Sequence, residues 1–405
     1  MRTQPVGFTR VVGPEIDTSP RIARTLLRYG RDVVKANLAS AFTETALGDL
    51  MSSLRRRFAG PRVYVLAYHR VTDVVDVEGE TSAVNPSLCI SAAAFRRQMI
   101  QVKQKYDVLP LSEAMAAIAG ARPLVRDACA ITFDDGYADV ALRAAPILAE
   151  LGIPGTVFIP SGYVGIGAPL LHDRLYAALW RRRRRRAAPL ALPSLRLSER
   201  VAVDDAERLA RTHGPQAATD RLIAALPDAS LRLVVDALEE EEGAPSLDPG
   251  ARVLDGDELR ALADAGWEVG AHTIDHVVLT HERGPRVVEQ LVRPRRAIEA
   301  ITGKPCRYFA YCNGLWSASL VAAVRAAGYE GAVTTFARAN RPGGDPFRVS
   351  RKCLWEGHTR GPDGRWSSAV SAANIADLFG DLGLTRPQDG EVAARPTEAT
   401  EEVAS

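Results

Sequence analysis

Lysine is nearly absent from this 405-residue chain: of 51 basic side chains, 5 are lysines and 46 are arginines. A run of arginine therefore says less here than in an ordinary sequence. The 49 acidic residues almost cancel the basic ones, and a formal charge of +2 excludes a polyanion binder that works by bulk field. Cysteine is scarce too. Cys89, Cys129, Cys306, Cys312 and Cys353 are odd in number, scattered and never in a C-x-x-C spacing. That pattern argues against a disulfide scaffold or a thiolate zinc site, and for buried thiols in a reducing compartment. No run of ~18 apolar residues is present, so no membrane-spanning helix is expected. No apolar stretch of ~7–15 residues with a small-residue cleavage site follows Met1, so no secretory signal is read and a cytoplasmic location is expected. Gly-rich phosphate loops and internal repeats are also missing.

What is present is an ordinary globular composition, 46 % hydrophobic and 25 % charged, long enough for two or three units at ~150 residues each. Residues 1–60 read as an N-terminal helical arm, with Leu26, Leu27, Val33, Val34, Leu38, Leu50, Met51 and Leu54 at near-helical spacing among basic residues. Packing on the domain and lying on a membrane surface both satisfy that pattern. From residue 61, β-rich runs at Val63–Tyr68, Cys129–Phe133, Thr156–Ile159, Glu268–Ala271, Tyr308–Tyr311, Ala332–Thr335 and Phe347–Arg351 alternate with amphipathic segments. Those segments are Ala94–Lys105, Asp139–Leu151, Asp257–Ala265, Arg286–Ile301 and Ser317–Ala327. The alternation predicts an α/β fold of parallel strands joined by crossovers: an irregular (β/α) barrel of about seven strands over residues 61–180 and 251–360. Its active site belongs at the C-terminal ends of the strands. Residues 181–250, opening with Arg181–Arg186 and closing with Glu239–Glu242, interrupt this rhythm as a charged helical insertion. The arginine run reads as a solvated linker or as a contact for an anionic partner. Residues 361–405 form a C-terminal extension whose last part, from Arg386, has the composition of a disordered tail.

Two segments carry chemistry. Ile131-Thr132-Phe133-Asp134-Asp135-Gly136-Tyr137 ends a hydrophobic strand in two adjacent carboxylates, which repel each other unless a cation or proton relieves them. A solvated turn is the plain alternative. His272 and His276, in Gly270-Ala271-His272-Thr273-Ile274-Asp275-His276, follow another strand and can converge on one ion if the chain turns there. With Asp135 on the ion and Asp134 free as a base, the result is a His-His-Asp site with open positions for water and substrate.

Taken together, Thr132-Phe133-Asp134-Asp135-Gly136-Tyr137 and His272-Thr273-Ile274-Asp275-His276 resemble the first two motifs of the polysaccharide deacetylases, the NodB-homology or carbohydrate esterase family 4 group. Phe309-Ala310-Tyr311-Cys312-Asn313-Gly314 falls where that family has its third motif. Leu66-Ala67-Tyr68-His69-Arg70-Val71 resembles the opening of the branch whose motif order is circularly permuted. The resemblance implies Asp134 as general base, Asp135, His272 and His276 as ligands of a divalent metal ion with zinc favoured, and His69 as general acid. It implies that Tyr311 and Asn313 lie in the segment that lines the acyl pocket and holds the oxyanion. Ala310 stands where the family often has an arginine bracing the base, and Arg307 or another residue would have to replace it. His358 is the rival for the acid, and His172, His213 and His281 are lesser candidates.

The implied activity is metal-dependent hydrolysis of N-acetyl groups from N-acetylhexosamine residues of a polysaccharide or its precursor, an exopolysaccharide among them. Water would be activated by the metal and Asp134, and the leaving amine protonated by His69. Deacylation of peptidoglycan, xylan or small cyclic amides, or carbohydrate binding without catalysis, are the alternatives. An N-acetylated glycan is the expected partner and nucleic acid is not. Peripheral contact with a membrane or a lipid-linked precursor would reconcile such a substrate with the missing export signal.

Overall fold

The structure, a computed structural model, describes residues 20–383 apart from 80, 186–189, 191, 193 and 245–248. Residues 1–19 and the tail expected from Arg386 to Ser405 lie outside the described residues, as does Arg186. Seven parallel strands form the centre: β1 Val63–Tyr68, β2 Ala128–Phe133, β3 Gly155–Ile159, β4 Glu268–Ala271, β5 Tyr308–Ala310, β6 Gly331–Val333 and β7 Lys352–Cys353. They run in the order β7-β1-β2-β3-β4-β5-β6, and a short strand, Asp107–Val108, also pairs with the start of β2. The two edges meet in one segment. Val349 bridges Val333 of β6 in parallel, and three residues later Lys352 and Cys353 pair with Leu66 and Ala67 of β1.

All residues of β1, β2 and β3 are buried, as expected of parallel strands covered on both faces. Alternate side chains sort into two cores, because successive Cβ atoms point to opposite faces of a strand. Val63, Val65, Ala128, Ala130, Phe158, Tyr308 and Val333 cluster with Leu111 and Met115 of the helix Leu111–Ile118. Tyr64, Leu66, Tyr68, Ile131 and Phe133 pack instead against the flanking helices through Phe95, Met99, Leu148, Leu259 and Ile298. Gly270 is required where β4 meets β3: a Cβ there would lie 2.5 Å from the Phe158 ring and 2.8 Å from the Tyr308 carbonyl oxygen. Crossover helices start where polar side chains satisfy the free N–H groups of the first turn. Ser91 caps Ala92–Lys105, Ser317 caps Ala318–Ala326, and Asp255 with Glu258 forms a capping box on Gly256–Asp264.

Three segments differ from the sequence expectation. The seventh strand is Lys352–Cys353 rather than Phe347–Arg351, because Arg351 turns its guanidinium into the barrel and pairing with β1 begins only after it. The helical unit starts at Leu171, ten residues before the expected boundary at 181, since Leu171–Arg185 is one continuous helix. With Leu197–Thr212, Pro215–Ala225 and Asp228–Glu242 it builds a separate core around Leu175, Leu179, Val203, Leu222, Val235 and Leu238. Val278 and Cys312 from the barrel belong to that same core. The arginine run is the last part of the first helix, not a linker. Arg181 donates to Gly243 O at 2.6 Å, Arg182 is buried against Glu207, Glu241 and Glu242, and Arg185 lies 3.3 Å from Glu242.

The N-terminal arm is two helices, Pro20–Thr43 and Ala46–Ala59, and Ala39 packs on Ala369, Val370, Ala373 and Phe379 of the C-terminal extension. The extension is thus folded through the helices Ser368–Ile375 and Leu378–Asp381. No helix among the described residues is long and apolar enough to cross a membrane.

Candidate active site

The C-terminal ends of the strands deliver the chemistry-bearing side chains to one rim. His69 follows β1, Asp134 and Asp135 follow β2, and His272 follows β4. Backbone strain concentrates here. Of the five described non-glycine residues with positive φ, four are Asp135 (67°), Thr273 (65°), His276 (57°) and Asn313 (55°), and the fifth is the distant Asp377. Such conformations persist only where the surroundings over-determine them, and they cluster at functional sites. Gly136, also left-handed at φ 60°, completes the turn that lets the adjacent carboxylates point apart; a Cβ there would meet Ile159 at 2.4 Å.

Asp134 is held by a buried fork. Arg351 Nη1 and Nη2 donate to its two oxygens at 2.7 and 2.6 Å, while Nε donates to Thr334 O at 2.8 Å and Nη1 also to Thr132 Oγ1 at 3.1 Å. Burial opposes ionisation of Asp134, but Arg351, with His272 and His69, more than offsets it, and the carboxyl lies below the ordinary range. Arg351, on the strand-like segment before β7, occupies the role left open by Ala310. Arg307 does not: it is half-exposed and lies 3.7 Å from Glu330. The signal in the sequence was the arginine that closes a strand-like run, Phe347–Arg351.

Asp135 faces imidazoles. Its Oδ1 lies 3.0 Å from His276 Nε2 and 3.5 Å from His272 Nε2, yet is buried without an aligned hydrogen-bond partner. Burial raises its pKa, but His276, then His172 and His69, hold it well below the ordinary range. His272 Nδ1 donates to Ala310 O at 2.8 Å, which leaves the Nε2 lone pair toward Asp135, and burial pushes this imidazole down to about 4, so it is neutral at pH 7. For His276, burial is more than offset by Asp135 and the pKa rises. His276 is placed by a tight turn. Thr273 Oγ1 accepts from Val277 N at 3.1 Å, and buried Gln290 accepts from Ile274 N and Asp275 N at 2.8 and 3.2 Å. An orphaned carboxylate oxygen facing two imidazole nitrogens, one of them fixed by its other ring atom, is a donor set that fits a divalent cation.

The structure also brings in a residue ranked low from sequence. His172, from the first turn of the helical unit, is buried with Nε2 3.6 Å from Asp135 Oδ2, and Asp135, His172 and His276 form one group of closely spaced donors. His272, His276 and Cys312 form a second, although Cys312 Sγ lies on the Nδ1 side of His272 at 3.8 Å, away from Asp135. His69 is half-buried and close enough to Asp134 and Asp135 to lower both carboxyl pKa values. His358 stands beside Lys352 and Lys35, His281 bonds Leu226 O, and His213 bonds Thr212 on the surface. Tyr311 is a correction to its expected place. Its N–H donates to Val333 O at 3.1 Å and its hydroxyl to Phe347 O at 3.2 Å, so both donors are engaged in holding β5 and β6 rather than facing the site. Asn313 is exposed beside it.

A parallel barrel thus carries an acid pair and a His-x3-His turn at the C-terminal ends of its strands. Residues 213–332 match the family model described as polysaccharide deacetylase, which takes in His272, His276 and the third segment. Over that stretch the chain resembles the polysaccharide deacetylases, and the match supports a hydrolase of carbon–nitrogen bonds. No curated protein matches the sequence. Similar solved structures include IcaB from Ammonifex degensii, at 20 % identity over 78 % of this chain and 97 % of that one, with a TM-score of 0.48. The Streptococcus pyogenes deacetylase PplD in complex with acetate is 13 % identical over 75 % of this chain and 96 % of that one, TM-score 0.49. A de-N-acetylase from Aggregatibacter actinomycetemcomitans is 18 % identical over 74 % and 97 %, TM-score 0.45.

Proposed function

We propose that this chain is a polysaccharide deacetylase that removes acetyl groups from N-acetylhexosamine residues of a polysaccharide or its precursor in a metal-dependent reaction. Asp135, His272 and His276 would hold the cation, for which a mixed imidazole and carboxylate set favours zinc. When bound, a divalent cation supplies Lewis acidity toward water and the acyl carbonyl. The observation that carries the reading is the split fate of the acid pair. Asp134 is clamped by Arg351 as an anion whose oxygens each keep a lone pair, while the Asp135 Oδ1 is left bare between two imidazoles.

Asp134 then accepts the proton of the attacking water, and Arg351 keeps it ionised and oriented until it does. An amine leaves only when protonated. His69, which follows β1 beside the acid pair, donates that proton to the nitrogen as the carbon–nitrogen bond breaks. The test is acetate release from a panel of N-acetylated glycans, with and without a chelator. Chelation and His276→Ala should both abolish release, and a fully active chelated enzyme would overturn the reading. His69→Ala should lose ~10²–10⁴-fold on amides and far less on an acetyl ester whose phenolate leaves unprotonated. Equal losses on both would remove His69 from the acid role.

The helix Ala46–Ala59 supports contact with an anionic membrane surface or lipid-linked precursor. Leu50, Met51, Leu54 and Phe58 are exposed on one of its faces, with exposed Arg57 beside them. Co-sedimentation with phosphatidylglycerol vesicles, lost in Phe58→Asp and in high salt, is the expected result. Binding that Phe58→Asp leaves intact would refute it.

A further inference from the structure

We infer that His172 is a positioning residue for the cation site, an outer-sphere partner of Asp135 supplied by the helical unit. The inference rests on the proposed reading of Asp135, His272 and His276 as ligands.

Proton accounting carries it. The hydroxyl of Tyr137 lies 2.8 Å from Asp173 Oδ2 and 2.9 Å from His172 Nε2. A carboxylate can only accept, so the single Tyr137 proton goes to Asp173, and Tyr137 must in turn accept from His172. His172 therefore carries its proton on Nε2. Its other nitrogen, Nδ1, is buried and has no hydrogen-bond partner, as expected of the unprotonated atom in this tautomer. The protonated Nε2 is also the atom 3.6 Å from Asp135 Oδ2. While donating to Tyr137, the same N–H leaves its positive end 3.6 Å from Oδ2, which biases Oδ2 to that side and keeps Oδ1 facing His272 and His276.

The rest of the fold holds His172 there. Its ring lies 4.8 Å from that of His276, centroid to centroid, and Leu171 and Leu175 of the same helix share a core with Val278, two residues beyond His276. Tyr137 belongs to the strand-end turn that carries Asp135, so Asp173, Tyr137 and His172 tie the helical unit to the base of the ligand turn. Nothing in the spacing of Leu171-His172-Asp173 revealed this, because the contact crosses from the helix to β2.

The test measures cation affinity on the full chain with zinc and cobalt(II), by competition with a chromophoric chelator, and the visible spectrum of the cobalt form. His172→Ala should bind one ion with affinity lowered ~10–100-fold, the scale of outer-shell losses at metal sites. His172→Gln, whose amide N–H can stand where Nε2–H does, should recover most of the affinity and give the wild-type cobalt spectrum. Unchanged affinity in His172→Ala would overturn the inference. So would His172→Gln binding as weakly as His172→Ala with an altered spectrum, the mark of a direct ligand. Failure of the underlying reading shows differently: His276→Ala would then keep its ion, or the wild type would bind none, and the inference would fall with it.

Discussion

Arg351 is entirely buried, and its guanidinium makes four hydrogen bonds, two to Asp134, one to Thr132 and one to the Thr334 carbonyl. Removing one partner of a buried ion pair leaves the other charge uncompensated, at a cost of ~3–5 kcal/mol. Arg351→Met should therefore lower the urea midpoint sharply. Arg351→Lys keeps the charge but loses the fork, and should leave a folded protein with kcat down ~10²-fold, the scale of general-base catalysis; wild-type kcat in that variant would refute the bracing role. His358 tests a different balance. Burial, with Lys352 and Lys35, pushes its imidazole from 6.5 to about 3, so the folded chain binds a proton more weakly than the unfolded chain. Stability should be level in this respect above pH ~6.5 and fall as the pH drops toward 3, by at most ~1.4 kcal/mol per pH unit for one proton. Urea titrations from pH 7.5 to 4.5 should show a shallower decline in His358→Gln than in wild type, and parallel profiles would contradict it.

At the level of elements, the turn between β4 and the helix Pro285–Thr302 places His276 although nothing in its own sequence repeats or pairs. Gln290, one turn into that helix and buried, accepts from Ile274 N and Asp275 N and donates to Asp275 Oδ2 at 2.7 Å. Gln290→Leu is close in volume and leaves two backbone donors without their acceptor, so a loss of ~1–3 kcal/mol follows from their desolvation. Cation affinity should fall in the same variant, because His276 sits in left-handed backbone that only the closed turn maintains. Equilibrium dialysis and a denaturation curve measure both effects; stability lost with affinity unchanged would show that the turn does not set the site.

Across the whole molecule, the helical unit and the barrel are one structure near the site. Val278 and Cys312 complete the unit's core, and its first helix brings His172 back to Asp135. Arg182 holds the unit's own ends together through Glu207 and Glu242, both buried. Arg182→Ala should leave Glu207 without its arginine and Glu242 with Arg185 alone, cost ~3–5 kcal/mol, and open the unit to limited proteolysis before the barrel strands. Because the unit carries His172, cation affinity should drop in step; protease resistance equal to that of wild type would show the arginine to be dispensable.

The order of strands, the parallel crossovers and the acid pair with its His-x3-His partner were legible in the sequence, because strand period, helix stops and short motifs are local properties. Val63–Tyr68 and Glu268–Ala271 match the expected runs residue for residue. What the sequence could not determine were the contacts made between segments far apart in the chain. Arg351 reaches Asp134 across 217 positions, and it can do so only because β7 lies against β1, which in turn pairs with β2. His172 arrives at Asp135 through a helix whose boundary the arginine run concealed. Tyr311, by contrast, looked available in its motif, and only the register of β5 against β6 showed its donors to be in use. Local pattern set which residues form strands, turns and caps; closure of the barrel decided which buried charges meet, since a charge excluded from water must find its partner in space rather than in sequence.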